Sequence, residues 1–230
     1  MFKKRIKMVL SRTSGAENNA SLQNLKPIIL LKPEKENRGS VLKALKKRKT
    51  IREISDKKLP LQVLSNLLWA ACGINRKNGP FGIPGRTAAT ASNSQEIDLY
   101  VSLQEAIYYY DPYKHRLNPV LAGDHRAEAI GKGQLNFGDK APVRLIYVAD
   151  VNKLSNTSGY KEPGLLDPDV QKSYYFVDTG LIAGNVYLFA ASMGLASWFH
   201  NCNKSVLREK LKLREDQRVL FGHTVGYPKI

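Results

Sequence analysis

Apolar positions along the chain fall into blocks of two periodicities, separated by polar or Gly/Pro-rich stretches. From Ser40 onward Val41, Leu42 and Leu45 recur at helical spacing with lysines between them, and the block ends in Lys46-Lys47-Arg48-Lys49. Pro60 to Ala71 carries Leu61, Val63, Leu64, Leu67, Leu68 and Trp69 on one broad face, which predicts a second helix stopped by Cys72-Gly73. Residues 75–86 hold Gly79-Pro80, Gly82 and Pro84-Gly85 and predict a long turn-rich loop. Ile97 to Leu103 alternates as a strand, and Ala106 to Tyr110 with the turn Asp111-Pro112 completes an expected hairpin. Val143 to Ala149 reads as a buried strand, and Gly180 to Met193 as a long apolar helix closed by Gly194. A last strand spans Val219 to Phe221 and Thr224 to Gly226. Helices and strands interleave without strict βαβ repetition, and no internal repeat is visible. The pattern predicts an α+β fold.

One apolar block stands apart. Leu25-Lys26-Pro27-Ile28-Ile29-Leu30-Leu31-Lys32-Pro33 is bracketed by prolines and reads as an isolated extended arm, lying across another part of the protein or a partner subunit. Charge sharpens this view of the N-terminal part. The 230 residues carry 36 Lys+Arg against 20 Asp+Glu, a net charge of +16. Residues 1–58 hold 17 of the basic groups and 5 of the acids, so the excess belongs to the start of the chain. That start, Met1 to Leu10, has a basic region without the apolar stretch that export requires. A cytoplasmic location is expected, and an exported form only if the N-terminus is a trimmed signal. Apolar residues at 43% and charged residues at 24% fit a globular chain and exclude a disordered one. No apolar run approaches the length of a membrane span. Two cysteines, Cys72 and Cys202, exclude a disulfide scaffold and a four-thiolate zinc site.

Three stretches carry candidate chemistry. In Arg48-Lys49-Thr50-Ile51-Arg52 two arginines flank a hydroxyl, and both guanidinium groups can converge on a phosphate or carboxylate if the chain turns there. A solvated basic face has the same composition. In Arg86 to Glu96 small residues let backbone approach a planar ligand, while Asn93 and Gln95 offer donors and acceptors; a cap followed by polar turn residues is the structural alternative. The helix containing Asp178-Thr179-Gly180 and Gly184-Asn185-Val186-Tyr187-Leu188 is rich in small residues that suit close helix or subunit packing.

The order of these pieces says more than any one alone. An R-x-S/T-x-R segment is followed by L-L-W-A-A-x-G-x-N-R, then R-T-A and T-A-x-N-x-Q. A-P before a strand, D-x-G-x-x-x-x-N-x-Y-L, A-x-x-x-G-L and a terminal T-V-G-Y-P-K complete the series. Over residues 40–229 the chain resembles the FMN-dependent nitroreductase family, and within it the branch shared with thiazoline/oxazoline oxidases of peptide-modifying clusters. The resemblance implies an α+β fold with a central mixed or antiparallel sheet flanked by helices, working as an intimate homodimer. Residues 1–39 would be a basic arm and residues 40–230 the FMN-binding domain.

By the same resemblance, one FMN lies at each of two subunit-interface sites and NAD(P)H is the co-substrate. Arg48, Lys49, Thr50 and Arg52 would hold the ribityl phosphate. Ala89, Thr90, Ala91 and Asn93, where the family more often has Pro-Ser-x-x-Asn, would reach the ring from the other subunit. Gln134 would contact the flavin, and Phe199-His200-Asn201-Cys202 would pass near its N5 edge, with His200 either a proton donor or substrate contact or, equally, a surface or packing histidine. Many family members continue past the terminal glycine with a tail that embraces the partner. Here Lys229 is expected to stand in for one of that tail's ligands and the arm at 25–33 for the embrace. The implied activity is hydride transfer from NAD(P)H through FMN to a nitroaromatic, a quinone or another small acceptor. The alternative within the family is an azoline oxidase acting on a modified peptide, although Lys172-Ser173-Tyr174 matches the Lys-Tyr pair of those enzymes only loosely. A nucleic-acid-binding protein is the alternative from another class; no aromatic residues interleave with the basic cluster, which weighs against it.

Overall fold

The computed structural model describes residues 22–34, 40–134, 140–157 and 163–229. The basic start Met1 to Leu10, Leu135 to Phe137 beside Gln134, and Ile230 lie outside the described residues. Strand β1 (Ile28–Ile29) precedes helices α1 (Val41–Lys47) and α2 (Leu61–Cys72), followed by short strands β2 (Ile74–Arg76) and β3 (Gly85–Arg86). Strands β4 (Ile97–Ser102), β5 (Ala106–Asp111), β6 (Arg116–Ala122) and β7 (Val143–Asp150) come next, and then α3 (Val151–Ser155). The long α4 (Pro168–Ser192), β8 (Ala196–His200), α5 (Lys204–Lys210) and β9 (Gln217–Gly226) complete the chain.

Seven strands form one sheet in the order β1-β6-β5-β4-β7-β9-β8, and every neighbouring pair is antiparallel. The expected α+β architecture with a helix-flanked sheet holds, in the antiparallel form. Alternation along the strands separates two cores. Ile97, Leu99 and Val101 pack with Leu64, Leu67 and Leu68 of α2 and Ile182, Ala183 and Val186 of α4. On the other face Tyr100, Ile146 and Val148 pack with Leu207 of α5. Gly73 ends α2 in extended backbone (φ −73°), where a Cβ would come within 2.5 Å of the Trp69 side chain.

Two expectations change. The segment around Leu30 docks on its own chain. Ile28 and Ile29 pair with Leu117 and Arg116, and the Ser65 hydroxyl and His115 both bond the Leu31 carbonyl. Glu34 N–H donates to Asn66 at 3.0 Å. These contacts make the segment an edge strand of its own domain, so of the two expected placements, across its own chain or across a partner subunit, the structure shows the first. The second change is in α4, which begins at Pro168, twelve residues before Gly180, because the Asp167 side chain accepts from Asp169 and Val170 and caps it.

Candidate active site

Helix α4 is the spine on which the candidate residues are mounted. At 25 residues it is about 37 Å long, and three polar side chains along it each tie down a different segment. Asp178 accepts from the Ala91 N–H at 2.9 Å. Asn185 donates to the carbonyls of Ala71 and Thr87 at 3.4 and 3.3 Å. The Tyr187 hydroxyl accepts from Phe199 N–H at 2.9 Å and meets the Thr50 hydroxyl at 3.2 Å.

The tie at Thr50 positions the basic segment. After α1, whose last turn offers its carbonyls to the Arg48 N–H, the chain runs along β8 with Ile51 N–H donating to Ser197 at 3.1 Å. The Arg48 guanidinium lies over the Tyr187 ring at 5.6 Å, and that of Arg52 over Trp198 at 5.7 Å. The C-terminal Tyr227-Pro228-Lys229 pairs back onto the same stretch: Lys229 N–H donates to Glu53 and Ser55 N–H to Tyr227, both at 2.9 Å. Lys49, Thr50, Ile51, Arg52, Glu53 and Lys229 thereby line one hollow of about 390 Å³. Among the described residues none of Arg48, Lys49, Arg52 or Lys229 takes part in an ion pair. Cations gathered without acid partners suit a phosphate, and the Thr50 hydroxyl adds a neutral donor.

The loop before β4 is held from several sides. Ser92, Asn93 and Gln95 all take left-handed backbone (φ 48°, 53° and 53°), which side-chain-bearing residues rarely adopt and which clusters at functional sites. The Thr90 hydroxyl accepts from Gln95 N–H at 3.0 Å, and the Thr90 carbonyl accepts from Asn93 N–H at 3.1 Å. The Asn93 amide donates to Pro80 and Ile83, and the Gln95 amide to Pro84. The side chains of Thr90 and Asn93 are therefore spent on the loop's own shape. Beneath it, the buried Glu96 carboxyl accepts from the Ser94 hydroxyl at 2.6 Å and meets Asp178. Burial first, and the Asp178 charge second, raise Glu96 to about 8. Asp178 is also raised by burial, an effect its hydrogen bonds from Glu96 and Ala91 only partly offset.

At the end of β8, His200 is buried with its Nδ1 bonded to the Asn201 carbonyl and its Nε2 to the Thr224 hydroxyl, each at 2.7 Å. Burial is the main cause that lowers it to about 4, so the imidazole is neutral at pH 7. This geometry makes it a packed ring with both nitrogens bonded, which is the packing reading of the two that the sequence offered. The neighbouring His223 is likewise buried and neutral, between Tyr147 and the Ser197 hydroxyl at 3.0 and 2.7 Å. Gln134 packs beside the Gly131–Asn201 bond of 2.9 Å, and its Oε1 is buried without a donor among the described residues. Burial pushes the thiols of Cys72 and Cys202 up to about 11 and about 12, consistent with an inert role.

The structure thus gathers the predicted residues into groups. Arg48, Lys49, Thr50, Arg52 and Lys229 share the cationic hollow. His200, Asn201 and Gln134 sit together at the end of β8. Ala89, Thr90, Ala91 and Asn93 lie on the loop before β4. The anchor of that loop, Asp178, and the anchor of Thr50, Tyr187, are nine residues apart on α4, about 13 Å along its axis. Sequence reasoning missed Glu96, Asp178 and Tyr187 as organising residues. Asp178 and Tyr187 stood in the D-x-G-x-x-x-x-N-x-Y-L motif, and their polar types on an otherwise apolar helix were the available signal.

An antiparallel sheet flanked by helices, with a cationic hollow whose basic groups form no ion pair among the described residues and a strained loop on one central helix, is the nitroreductase fold. The Nitroreductase family model matches residues 45–227, and the chain belongs to that family. It is 28% identical over 181 residues to "Putative nitroreductase MJ1384" of Methanocaldococcus jannaschii, covering 74% of this chain and 82% of that one. A candidate nitroreductase of Ralstonia eutropha JMP134, solved as a crystal structure, superposes with a TM-score of 0.75 at 31% identity, covering 89% of this chain and 90% of that one. The NADPH:FMN oxidoreductase of Vibrio harveyi, solved with NAD+, shares the fold at a TM-score of 0.55 and 17% identity, over 84% of this chain and 70% of that one.

Proposed function

We propose that the protein is an FMN-dependent oxidoreductase that takes a hydride from NAD(P)H and passes it to a nitroaromatic, a quinone or another small acceptor. The observation that carries this reading is the hollow of Lys49, Thr50, Arg52 and Lys229, whose cations form no ion pair among the described residues, with Glu53 the one acid in the lining. Those residues, with Arg48, would hold the FMN phosphate. Bound FMN supplies the hydride chemistry. The chain's own part is to bind, orient and exclude water. The Phe199–Asn201 backbone and Gln134 would border the ring, and Ala89 to Asn93 of a second copy would cover it. No side chain needs to act as a base, in keeping with His200 and His223 being neutral and doubly bonded.

A homodimer is part of the proposal. Val41, Leu42 and Leu45 of α1 are 66%, 77% and 53% exposed, and Val177, Gly180, Leu181 and Gly184 form an exposed apolar and small-residue stripe on α4. A second copy of the chain would cover both faces. This pairing would also let the loop of one subunit meet the cationic hollow of the other. Incubation of the purified protein with FMN, desalting and an absorbance spectrum test the reading. The expected result is retained flavin that bleaches when NADPH is added under argon; a protein that stays colourless contradicts it.

A further inference from the structure

Glu96 and Asp178 meet as two carboxyl groups in the interior, 0% and 3% exposed. Among the described residues, the other hydrogen bonds on the pair come from Ser94 and Ala91 of the loop above it and from the Glu96 N–H itself. Ser94 donates to Glu96 Oε2 and Ala91 N–H donates to Asp178 Oδ2, so the two ends of the left-handed turn hang from the two acids. Glu96 Oε1 has no donor among the described protein groups. Two carboxylates side by side repel, and no hydrogen can lie between them unless one is protonated.

We propose that Glu96 and Asp178 share a single proton, and that this proton holds the Thr90–Gln95 loop in the form that accepts FMN. The proposal rests on the function proposed above, with Glu96 and Asp178 as positioning residues beneath the loop. When the proton leaves to solvent base, two buried charges remain with no cation to separate them. The loop then gives way, because among the described residues it is the segment hydrogen-bonded to both acids.

The neighbouring charges are committed elsewhere. On β4, Asp98 is bonded by Lys153 at 2.6 Å and by the Tyr109 hydroxyl at 3.2 Å, on the face away from α4. On β7, Asp150 is paired with Arg214 at 2.8 Å. On α4, Tyr175 is the nearest other titratable group whose ionisation is shifted; burial raises it and Arg218 of β9 acts on it in the opposite sense. No cation acts on Glu96 or Asp178 among the described residues.

The sign follows from the raised affinity of Glu96 for its proton. Between the ordinary value of 4.5 and about 8, the folded chain keeps a proton that the unfolded chain has lost. Stability from the pair is full below that window and declines across it as pH rises. Two measurements on the full-length protein test the idea, each with wild type, Glu96→Gln and Asp178→Asn. The Glu96→Gln change keeps an acceptor for Ser94 and gives Asp178 a permanent donor. The Asp178→Asn change keeps an acceptor for Ala91 and gives Glu96 a permanent donor.

In the first, FMN titrations at pH 7 and pH 9 are expected to show affinity about tenfold weaker at pH 9 in wild type, tenfold being the change per pH unit above a controlling ionisation. In the amide variants the ratio stays near one. Flavin, phosphate and lysine ionisations contribute equally to all three proteins and cancel in the comparison. In the second, thermal unfolding without FMN is followed from pH 5 to pH 8.5, where the wild-type midpoint should fall more than that of either variant. A wild-type FMN ratio near one, or the same ratio in a folded amide variant, overturns the proposal. Failure to bind FMN at either pH sinks the proposed function instead. The unfolding curves then decide the shared proton, and parallel curves overturn it. If one variant does not fold, the other carries the comparison.

Discussion

Tyr187 serves two segments through one oxygen: it accepts from the Phe199 amide and meets the Thr50 hydroxyl. Tyr187→Phe leaves a partly buried N–H unpaired, and denaturant unfolding is expected to show a loss of about 1–3 kcal/mol. In the hollow beside it, Arg52→Ala removes a charged donor of the kind worth about 1.5–3 kcal/mol. FMN titration should show affinity reduced roughly ten- to a hundredfold. Gly222 lies opposite His200 in the β8–β9 pairing, and a Cβ there would stand 2.3 Å from the Ala129 carbonyl. Gly222→Ala should cost about 1–3 kcal/mol through overpacking. The buried histidines set the acid limb of stability. His200 titrates at about 4 in the fold against an ordinary 6.5, so between those values the unfolded chain takes the proton and the fold does not. Their contribution is complete above the ordinary value and is lost as pH falls towards 4. Thermal unfolding from pH 7 to 4.5 should show that decline, reduced in His200→Gln.

At the scale of elements, α1 and α4 carry the clearest consequence. Residues 41–45 have helical spacing, which predicts a face packed against their own domain, yet only Ala44 of α1 is buried. The apolar pattern is correct, and its occupant would be another chain. Leu42→Glu combined with Leu181→Arg should convert the proposed dimer into a monomer in light scattering, with loss of FMN from the same preparation. The elements most legible in the sequence were those whose period was uninterrupted: α2, the β4–β5 hairpin, β7 and β9. Strand β6 was missed because Pro119 falls inside it; the proline sits beside the bulge at Ile107/Tyr108, where the ladder tolerates a missing donor. The first three turns of α4 were missed because Lys172, Ser173 and Asp178 dilute its apolar pattern, although Asp167-Pro168 is an ordinary helix start. Strand β8 lies on the sheet edge, and its five residues did not alternate cleanly enough to stand out.

For the molecule as a whole, a net charge of +16 resolves into parts with different meanings. Arg48, Lys49, Arg52 and Lys229 form a site because the C-terminal strand brings Lys229 back to residue 53. The sequence could show the basic residues but not that convergence, which depends on long-range pairing. The basic segment and the loop at 89–93 were both legible from residue types in order. Their mounting on Tyr187 and Asp178 was not, since polar anchors on a helix face acquire their roles only when the partners are placed. No helix of the described residues is long and apolar enough to cross a membrane. These two features, contributed by two copies of the chain, would enclose one FMN per chain. Size-exclusion chromatography of the FMN-incubated protein with light scattering and flavin absorbance tests it most directly. The expected result is a dimer carrying one flavin per chain that bleaches with NADPH under argon; a monomer or dimer that elutes colourless would contradict it.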